Sequence, residues 1–448
     1  MVDAKYAFVQ GALAETYQRN KTRRKSSGIT DKIDAIVTHR WLAFPIFFFL
    51  LYAVFNGTFI LGEYPMKWIE WTVSHFGAFV SSAMSDGWFK DLVVDGVIGG
   101  VGSVLVFLPN ILLLYLFISL LEDSGYMARA AFIMDRLMHR IGLHGKSFIP
   151  MIMGFGCNVP AVMATRTIES HKSRLITMLI IPLMSCAGRM PVYILLAGAF
   201  FPHKAGLVLL GLYALGIALA VLAAKIMSRF FKEDDLPFVM ELPPYRIPTA
   251  KSIFRHTWEK GKQYLQKMSG IILICSLVIW FLGYFPNHKS YDTVAQQQEN
   301  SFIGYIGKTM EPVLKPLGFD WRMGVGIVAG VGAKELVVST LGVMYSDGDS
   351  ETAVDSSGPQ PSMSAADQSD AAGETRLQKA LLRSVTPAGA LAYMVFILLY
   401  FPCVATFVAI RNESGSWKWA ILTAVYTIFL AWTAAFITFR AASFLMGL

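Results

Sequence analysis

The sequence predicts an all-α, polytopic transmembrane protein with two Gly/Pro-interrupted gate segments. Of its 448 residues 54% are hydrophobic and 16% charged, against about 25% charged in soluble domains, and the mean hydropathy is +0.49. The apolar residues fall in long uncharged runs, as in a bilayer-spanning chain rather than a set of water-soluble cores. Glycine and proline interrupt some of these runs, which at membrane depth requires burial in protein or a wet cavity. Soluble enzyme folds are therefore set aside.

Residues 1–40 read as a cytoplasmic basic tail, with eight basic and four acidic residues and a patch at Arg19, Lys21, Arg23, Arg24 and Lys25. The positive-inside rule places this tail in the cytoplasm. It holds no apolar stretch of the signal-peptide kind, so the mature chain is expected to start at Met1 with the first span directing insertion. Residues 41–224 form a first membrane half. Trp41 to Gly62 is an uncharged run of 22 residues, enough to cross about 30 Å of hydrocarbon. Glu63 to Asp91, acidic and tryptophan-bearing, is expected to be an outer loop, and Gly96 to Leu121 the return span. Arg129, Arg136, Arg140 and Lys146 then mark the cytoplasmic face.

Phe148 to Thr165 contains Pro150, Gly154, Gly156 and Pro160 and is followed at once by Arg166, Lys172 and Arg174. Both ends read as cytoplasmic, so this first gate region is expected to re-enter or break rather than span. Leu175 to Pro202, with Arg189 inside it, and Ala205 to Ala224 are the next spans. Residues 225–267 carry nine basic and five acidic residues and form a cytoplasmic basic loop, whose latter half is expected to lie as an amphipathic helix on the inner leaflet. Residues 268–345 form the second gate region: the span Met268 to Pro286, an external stretch, and the irregular segment Met323 to Tyr345 with Lys334 and Glu335 at its centre. Residues 346–386 read as an acidic disordered linker, with seven acids and no base between Ser346 and Thr375. Residues 387–448 hold the last two clear spans, Ala388 to Ile410 and Trp419 to Phe439.

The two irregular segments echo each other weakly. Gly154-Phe-Gly156-Cys157 resembles Gly330-Val-Gly332-Ala333, and paired Gly-interrupted apolar segments in two halves point to a transporter's substrate site.

Cys157 and Asn158 sit where two glycines and Pro160 forbid a regular helix, leaving carbonyls free beside a thiol and an amide. These are metal-binding groups, although a free cysteine is also an ordinary packing residue. Ser185 and Cys186 lie between Pro182 and Pro191. Arg189 costs roughly 2.5–3.5 kcal/mol at such depth, so it is expected to be paired or to face water, either near a carboxylate or thiolate or as a helix fastener. Cys403 follows Pro402. Glu335 is a cation ligand or half of a salt bridge; Lys334 beside it points about 100° away on a helix, so the two cannot share a partner without unwinding. Cys275 has no breaker nearby and is assigned to packing.

All eight histidines fall outside the cores of the spans, which argues against intramembrane haem. Sulfur, amide and carboxylate ligands suit a borderline ion such as Fe(II) better than Mg or Ca. Gly145-Lys146-Ser147 mimics the end of a P-loop, but Arg140 stands where the Walker pattern needs glycine, so no GTP site is visible.

The motifs LEDSGYMARAAF, GFGCNVPA, PLMSCAGRMPVY, GAKELVVSTLG and PCVAT, in this order, closely resemble the membrane domain of FeoB-type ferrous iron transporters. The stretch Thr30 to Trp41 resembles that family's join between cytoplasmic part and first span. Only the stretch around Asn287 to Asn300 and the acidic linker fall outside the resemblance. It implies a multi-pass protein of the bacterial inner membrane, N-terminus cytoplasmic, that imports Fe(II) past Cys157, Cys186 and Cys403. Expected partners are Fe(II), the lipid bilayer, a separate G domain or small accessory proteins of the ferrous iron system, and further copies in a homo-oligomer; no nucleic acid is expected.

Two departures stand out. The family's G motifs are absent, so GTP hydrolysis is expected only from a partner or missing domain, unless transport is not GTP-gated. Cys-Ala-Gly-Arg at 186–189 also differs locally from the family pattern. Competing readings are a nucleoside or other small-solute carrier and a membrane scaffold recruiting a soluble GTPase.

Overall fold

The computed structural model describes residues 27–39, 42–85, 87–231, 245–246, 248–286, 294–345 and 376–447. The basic patch at Arg19 to Lys25, residues 232–244 of the basic loop and the acidic stretch 346–375 lie outside them. The described residues are predominantly helical, with no strand among them, in keeping with a polytopic membrane protein.

The chain opens with α1 (Ser27–Val37) and α2 (Ala43–Ala83). At 1.5 Å per residue, the 41 residues of α2 run about 60 Å, twice the hydrocarbon thickness. The outer loop expected from Glu63 is thus helix as far as Ala83. The charges there pair along the helix, Lys67 with Glu63 one turn back at 2.6 Å, and need no loop to be solvated. Phe48, Phe49, Tyr52, Trp68 and Trp71 lie exposed along α2, an apolar face suited to lipid.

Helical backbone resumes at Trp88 and passes through a π-helical stretch, Leu92–Gly99, into α3 (Gly100–Asp123). Gly125 then turns the chain with φ of 86°, a conformation that costs glycine nothing, so α4 (Tyr126–Arg140) leaves at 82° to α3. Arg129 on α4 is fully buried. Its guanidinium grips the Asp34 carboxylate of α1 through two bonds of 2.9 and 3.1 Å, donates to the Gly125 carbonyl and lies 4.1 Å from the centre of the Tyr245 ring.

Four short helices follow: α5 (Phe148–Gly156), α6 (Asn158–Ala164), α7 (His171–Ile180) and α8 (Met190–Phe200). Next come α9 (Ala205–Phe230) and α10 (Ala250–Tyr284). The surface helix expected from Lys251 is not separate: α10 continues unbroken into the apolar stretch behind it, because no glycine–proline break intervenes. The second half comprises α11 (Phe302–Leu314), α12 (Trp321–Gly332), α13 (Leu336–Tyr345), α14 (Arg376–Ser384), α15 (Pro387–Leu399), α16 (Val404–Ser414) and α17 (Trp417–Met446). Helix α14 replaces the last part of the expected linker, burying Leu381 in the core. The span expected over Ala388 to Ile410 is broken between α15 and α16.

Helix α15 is the centre of the molecule, buried along nearly its whole length. Against it lies α17, whose buried face is Ala420, Thr423, Thr427, Ala431 and Ala435; small residues let two backbones approach without the hydrophobic effect that lipid denies them. Helix α9 uses the same device. A Cβ on Gly216 would sit 3.0 Å from the Leu183 carbonyl oxygen, so only glycine admits that approach. Among the described residues five helices are long and apolar enough to cross a membrane, or six if the bent pair α3–α4 counts as one span. Two of the five, His171–Phe200 and Pro387–Ser414, contain internal breaks.

Candidate cation site at four helix breaks

The first break lies where the glycines and Pro160 predicted it. Cys157 is extended (φ −150°, ψ 130°), ends α5 and caps α6, and its N–H donates to the Met153 carbonyl at 3.0 Å. Pro160 has no N–H to offer the Gly156 carbonyl four residues back. Cys157 is half-buried, whereas Asn158 is buried with its side-chain oxygen unpartnered among the described residues.

The second break occupies Ile181 to Arg189, two short 3₁₀ turns flanking Met184 to Cys186. Arg189 is fully buried and donates to the carbonyls of Met184 (2.8 Å) and Pro182 (3.0 Å). It therefore pairs with its own broken backbone, neutralising carbonyls that the lost helix left free. Ser185 is buried with its hydroxyl 3.5 Å from that of Tyr193, and Cys186 is the residue from which the next turn starts.

The third break mirrors the first. Ala333, in the position of Cys157, has φ −144° and ψ 137°, so the weak sequence echo corresponds to the same local backbone. Lys334 and Glu335 fall in the unwound stretch and find separate partners, as adjacent residues must. The Lys334 ammonium donates to the Phe401 carbonyl at 2.6 Å and lies 3.2 Å from the centre of the Tyr400 ring. The Glu335 carboxylate packs on Gly188, where a Cβ would stand 3.1 Å from Oε2.

The fourth break, Tyr400 to Cys403, ends α15 ahead of Pro402. Cys403 precedes α16, its Sγ 3.1 Å from the Thr406 hydroxyl.

These breaks meet. Gly154 of the first lies against Met184 of the second, at 3.2 Å from a built Cβ; Gly188 of the second against Glu335 of the third; Lys334 of the third against Tyr400 and Phe401 of the fourth. Cys157 stands within electrostatic reach of Cys186, Cys403 and Glu335, and Cys403 within reach of Cys186. They do not form a finished coordination shell: among the described residues no three His, Cys, Asp or Glu side chains are gathered closely enough to hold one ion. Cys275 lies within the unbroken α10.

Electrostatics favour a cation here. The first half of each broken segment ends with carbonyls, the negative pole of a helix, while Cys157, Cys186 and Cys403 each stand just before a helical turn. Lys334 and Tyr400 were not singled out as site residues from the sequence. The rule that brought Glu335 forward, that an ionisable residue at membrane depth is functional by default, applies equally to Lys334.

On the flank, Arg166 and Arg174 hold the Glu413 side chain, which is only 5% exposed; Arg166 Nε donates to it at 2.6 Å. This ties the ends of α6 and α7 to the end of α16.

A family model described as Gate, nucleoside recognition, matches residues 104–200 and 265–417, and a model of the ferrous iron transport protein B C terminus matches residues 209–260. Similar proteins include a Porphyromonas gingivalis Fe(2+) transport protein A/Fe(2+) transporter FeoB fusion protein, 54% identical over 98% of this chain and 54% of the relative. An Fe(2+) transporter FeoB of Campylobacter jejuni is 40% identical over 95% of this chain and 67% of its own length. The corresponding protein of Staphylococcus aureus is 42% identical over 92% and 59%. No solved structure matches. The chain spans about half to two thirds of the length of the curated relatives it matches. With the gate model covering more than half of its residues and these identities running nearly end to end, the chain belongs to the FeoB family of ferrous iron transporters.

Proposed function

We propose that this chain carries Fe(II) across the bacterial cytoplasmic membrane, the ion passing between the four helix breaks. The observation that supports this most is their convergence, with half-buried Cys157 within electrostatic reach of Cys186, Cys403 and Glu335 among freed carbonyls. Asn158 and Ser185 line the same breaks and supply neutral oxygens. Thiolate, carboxylate and amide together match a borderline first-row ion. An open, unfinished shell also suits conduction, because an ion bound by every ligand at once would enter and not leave. The relatives' names, Fe(2+) transporter, support the choice of metal.

The basic tail and basic loop support a cytoplasmic N-terminus. A GTP-binding domain would act through α1, which Arg129 fastens to the helix leading into the first break. The fusion of Fe(2+) transport protein A to the P. gingivalis relative supports a small accessory partner.

The test is anaerobic uptake of labelled Fe(II) into liposomes holding this chain, with and without GTP and a supplied G domain. Uptake abolished by the Cys157→Ser, Cys186→Ser pair in a folded protein is the expected result. Uptake untouched by the pair sinks the ligand assignment. Transport of nucleosides without Fe(II) flux selects the small-solute reading that the gate model's description suggests.

A further inference from the structure

Two cations are built into the breaks, and they are held differently. Arg189 bonds carbonyls five and seven residues behind it in its own segment, so its hydrogen bonds staple one break. Lys334 reaches a carbonyl 67 residues away and is the hydrogen bond by which the third break holds the fourth, beside the packing of Gly330 on Tyr400.

Its surroundings are those of a cation seat. The side chain is buried, 3% exposed. The ammonium has three donors, and its partners are one carbonyl oxygen and one aromatic face. The Tyr400 hydroxyl, also buried, has no hydrogen-bond partner among the described residues. Cys403 follows Phe401 by two residues, and Cys403, Cys186 and Glu335 all lie within electrostatic reach of the Lys334 side chain, as does the Arg189 guanidinium, whose like charge opposes the ammonium and makes it easier to displace. A carbonyl and neighbouring thiols are also ligands for a borderline divalent ion. Lys334 is also carried by the unwound stretch between α12 and α13, so it can withdraw without any helix unwinding.

We infer that Lys334 is a tethered cation that fills the seat formed by the Phe401 carbonyl and the Tyr400 ring beside Cys403, and that an incoming ferrous ion takes this seat by displacing it. This rests on the iron-permease reading and adds its selectivity. A divalent ion that also recruits thiolates outcompetes the single charge of the ammonium, whereas Na⁺ and K⁺, with one charge and little affinity for sulfur, do not. Displacement also breaks the Lys334–Phe401 hydrogen bond between the third and fourth breaks, coupling occupancy of the seat to movement of α13 relative to α16.

The experiment is anaerobic titration of the detergent-solubilised full chain with Co(II), read by the thiolate-to-cobalt absorption band. If the seat is vacant in 0.1–10% of resting molecules, the usual range for a minor state, Lys334→Met tightens apparent cobalt binding about tenfold or more. Cys403→Ser in the Lys334→Met background removes that gain. Equal or weaker binding by folded Lys334→Met overturns the inference while leaving the permease reading intact; absence of any band in either protein overturns both. A measurement on the unmodified chain does not depend on how the variant folds: labelling by an amine-reactive reagent, quantified at Lys334 by mass spectrometry. Lys334 is protected without metal and labelled at saturating Co(II). Labelling that metal leaves unchanged overturns the displacement.

Discussion

Replacing Asp34 by Asn tests whether α1 is held to the membrane body by a single buried charge pair. The Arg129 side chain is 1% exposed and the Asp34 side chain 23%, so the substitution strands a guanidinium that water cannot easily reach. Breaking a buried pair in this way costs about 3–5 kcal/mol. Part of that is recovered here: Arg129 keeps its bond to the Gly125 carbonyl and its place over Tyr245, the asparagine oxygen still accepts one bond, and the site is partly wet. A loss of about 2 kcal/mol remains. Because 1.4 kcal/mol is a factor of ten in an equilibrium, α1 should open about 30 times more often. Amide exchange of the peptide covering residues 27–39 reads this directly, with the peptides of α15 as an internal reference. Adding Arg129→Met to the Asp34→Asn chain should cost little more, since the charge that Asp34 compensated is then gone. Unchanged exchange in Asp34→Asn, or additive effects of the two substitutions, would refute the clamp and the route it offers from the cytoplasmic side to the first break.

Three further outcomes follow from the geometry. Gly188→Ala places a Cβ 3.1 Å from Glu335 Oε2 and 3.5 Å from Lys334 Cβ; it should cost about 1 kcal/mol of stability yet lower Fe(II) uptake several-fold, and normal uptake would show that the carboxylate's position is immaterial. Arg189→Met leaves the Met184 and Pro182 carbonyls without donors and should destabilise the protein by at least about 2 kcal/mol; chemical denaturation in detergent with an unshifted midpoint would sink the staple role. Burial, reinforced by Lys146 and opposed by the Asp135 carboxylate, lowers the pKa of His144, whose Nδ1 accepts the Lys146 N–H at 3.0 Å ahead of α5. The neutral ring is the folded form, so its contribution is complete above the ordinary value of 6.5 and is lost as the pH falls from there through the lowered folded value. Faster amide exchange at residues 145–147 below pH 6.5, absent in His144→Asn, is the expected signature.

Much of this protein is written locally. A bilayer removes water from the account, so any long uncharged run must be a helix, and α2, α9 and α17 are legible on that ground alone. The breaks are legible for the complementary reason: Gly154, Gly156, Pro160, Pro182, Pro191 and Pro402 remove donors or helical preference wherever they stand, and all four cysteines could be sorted by whether such a residue lay nearby. The extent of α2 beyond Gly62 and the continuity of α10 were not legible, because charged residues end a hydropathy run without ending a helix; paired one turn apart, as Glu63 and Lys67 are, they prolong it. Nor does any local rule say that the fourth break seats the ammonium of the third, or that Gly188 faces Glu335. Those contacts join residues 67 and 147 positions apart, and they exist because α15 is buried between the two halves while small residues on α9 and α17 let the backbones close around it. The sequence by itself determined which backbone would fail to stay helical and which chemical groups would stand there. Only tertiary packing decided that four such failures would share one place, because a broken helix is a local consequence of a missing donor, whereas a site needs several of them brought together.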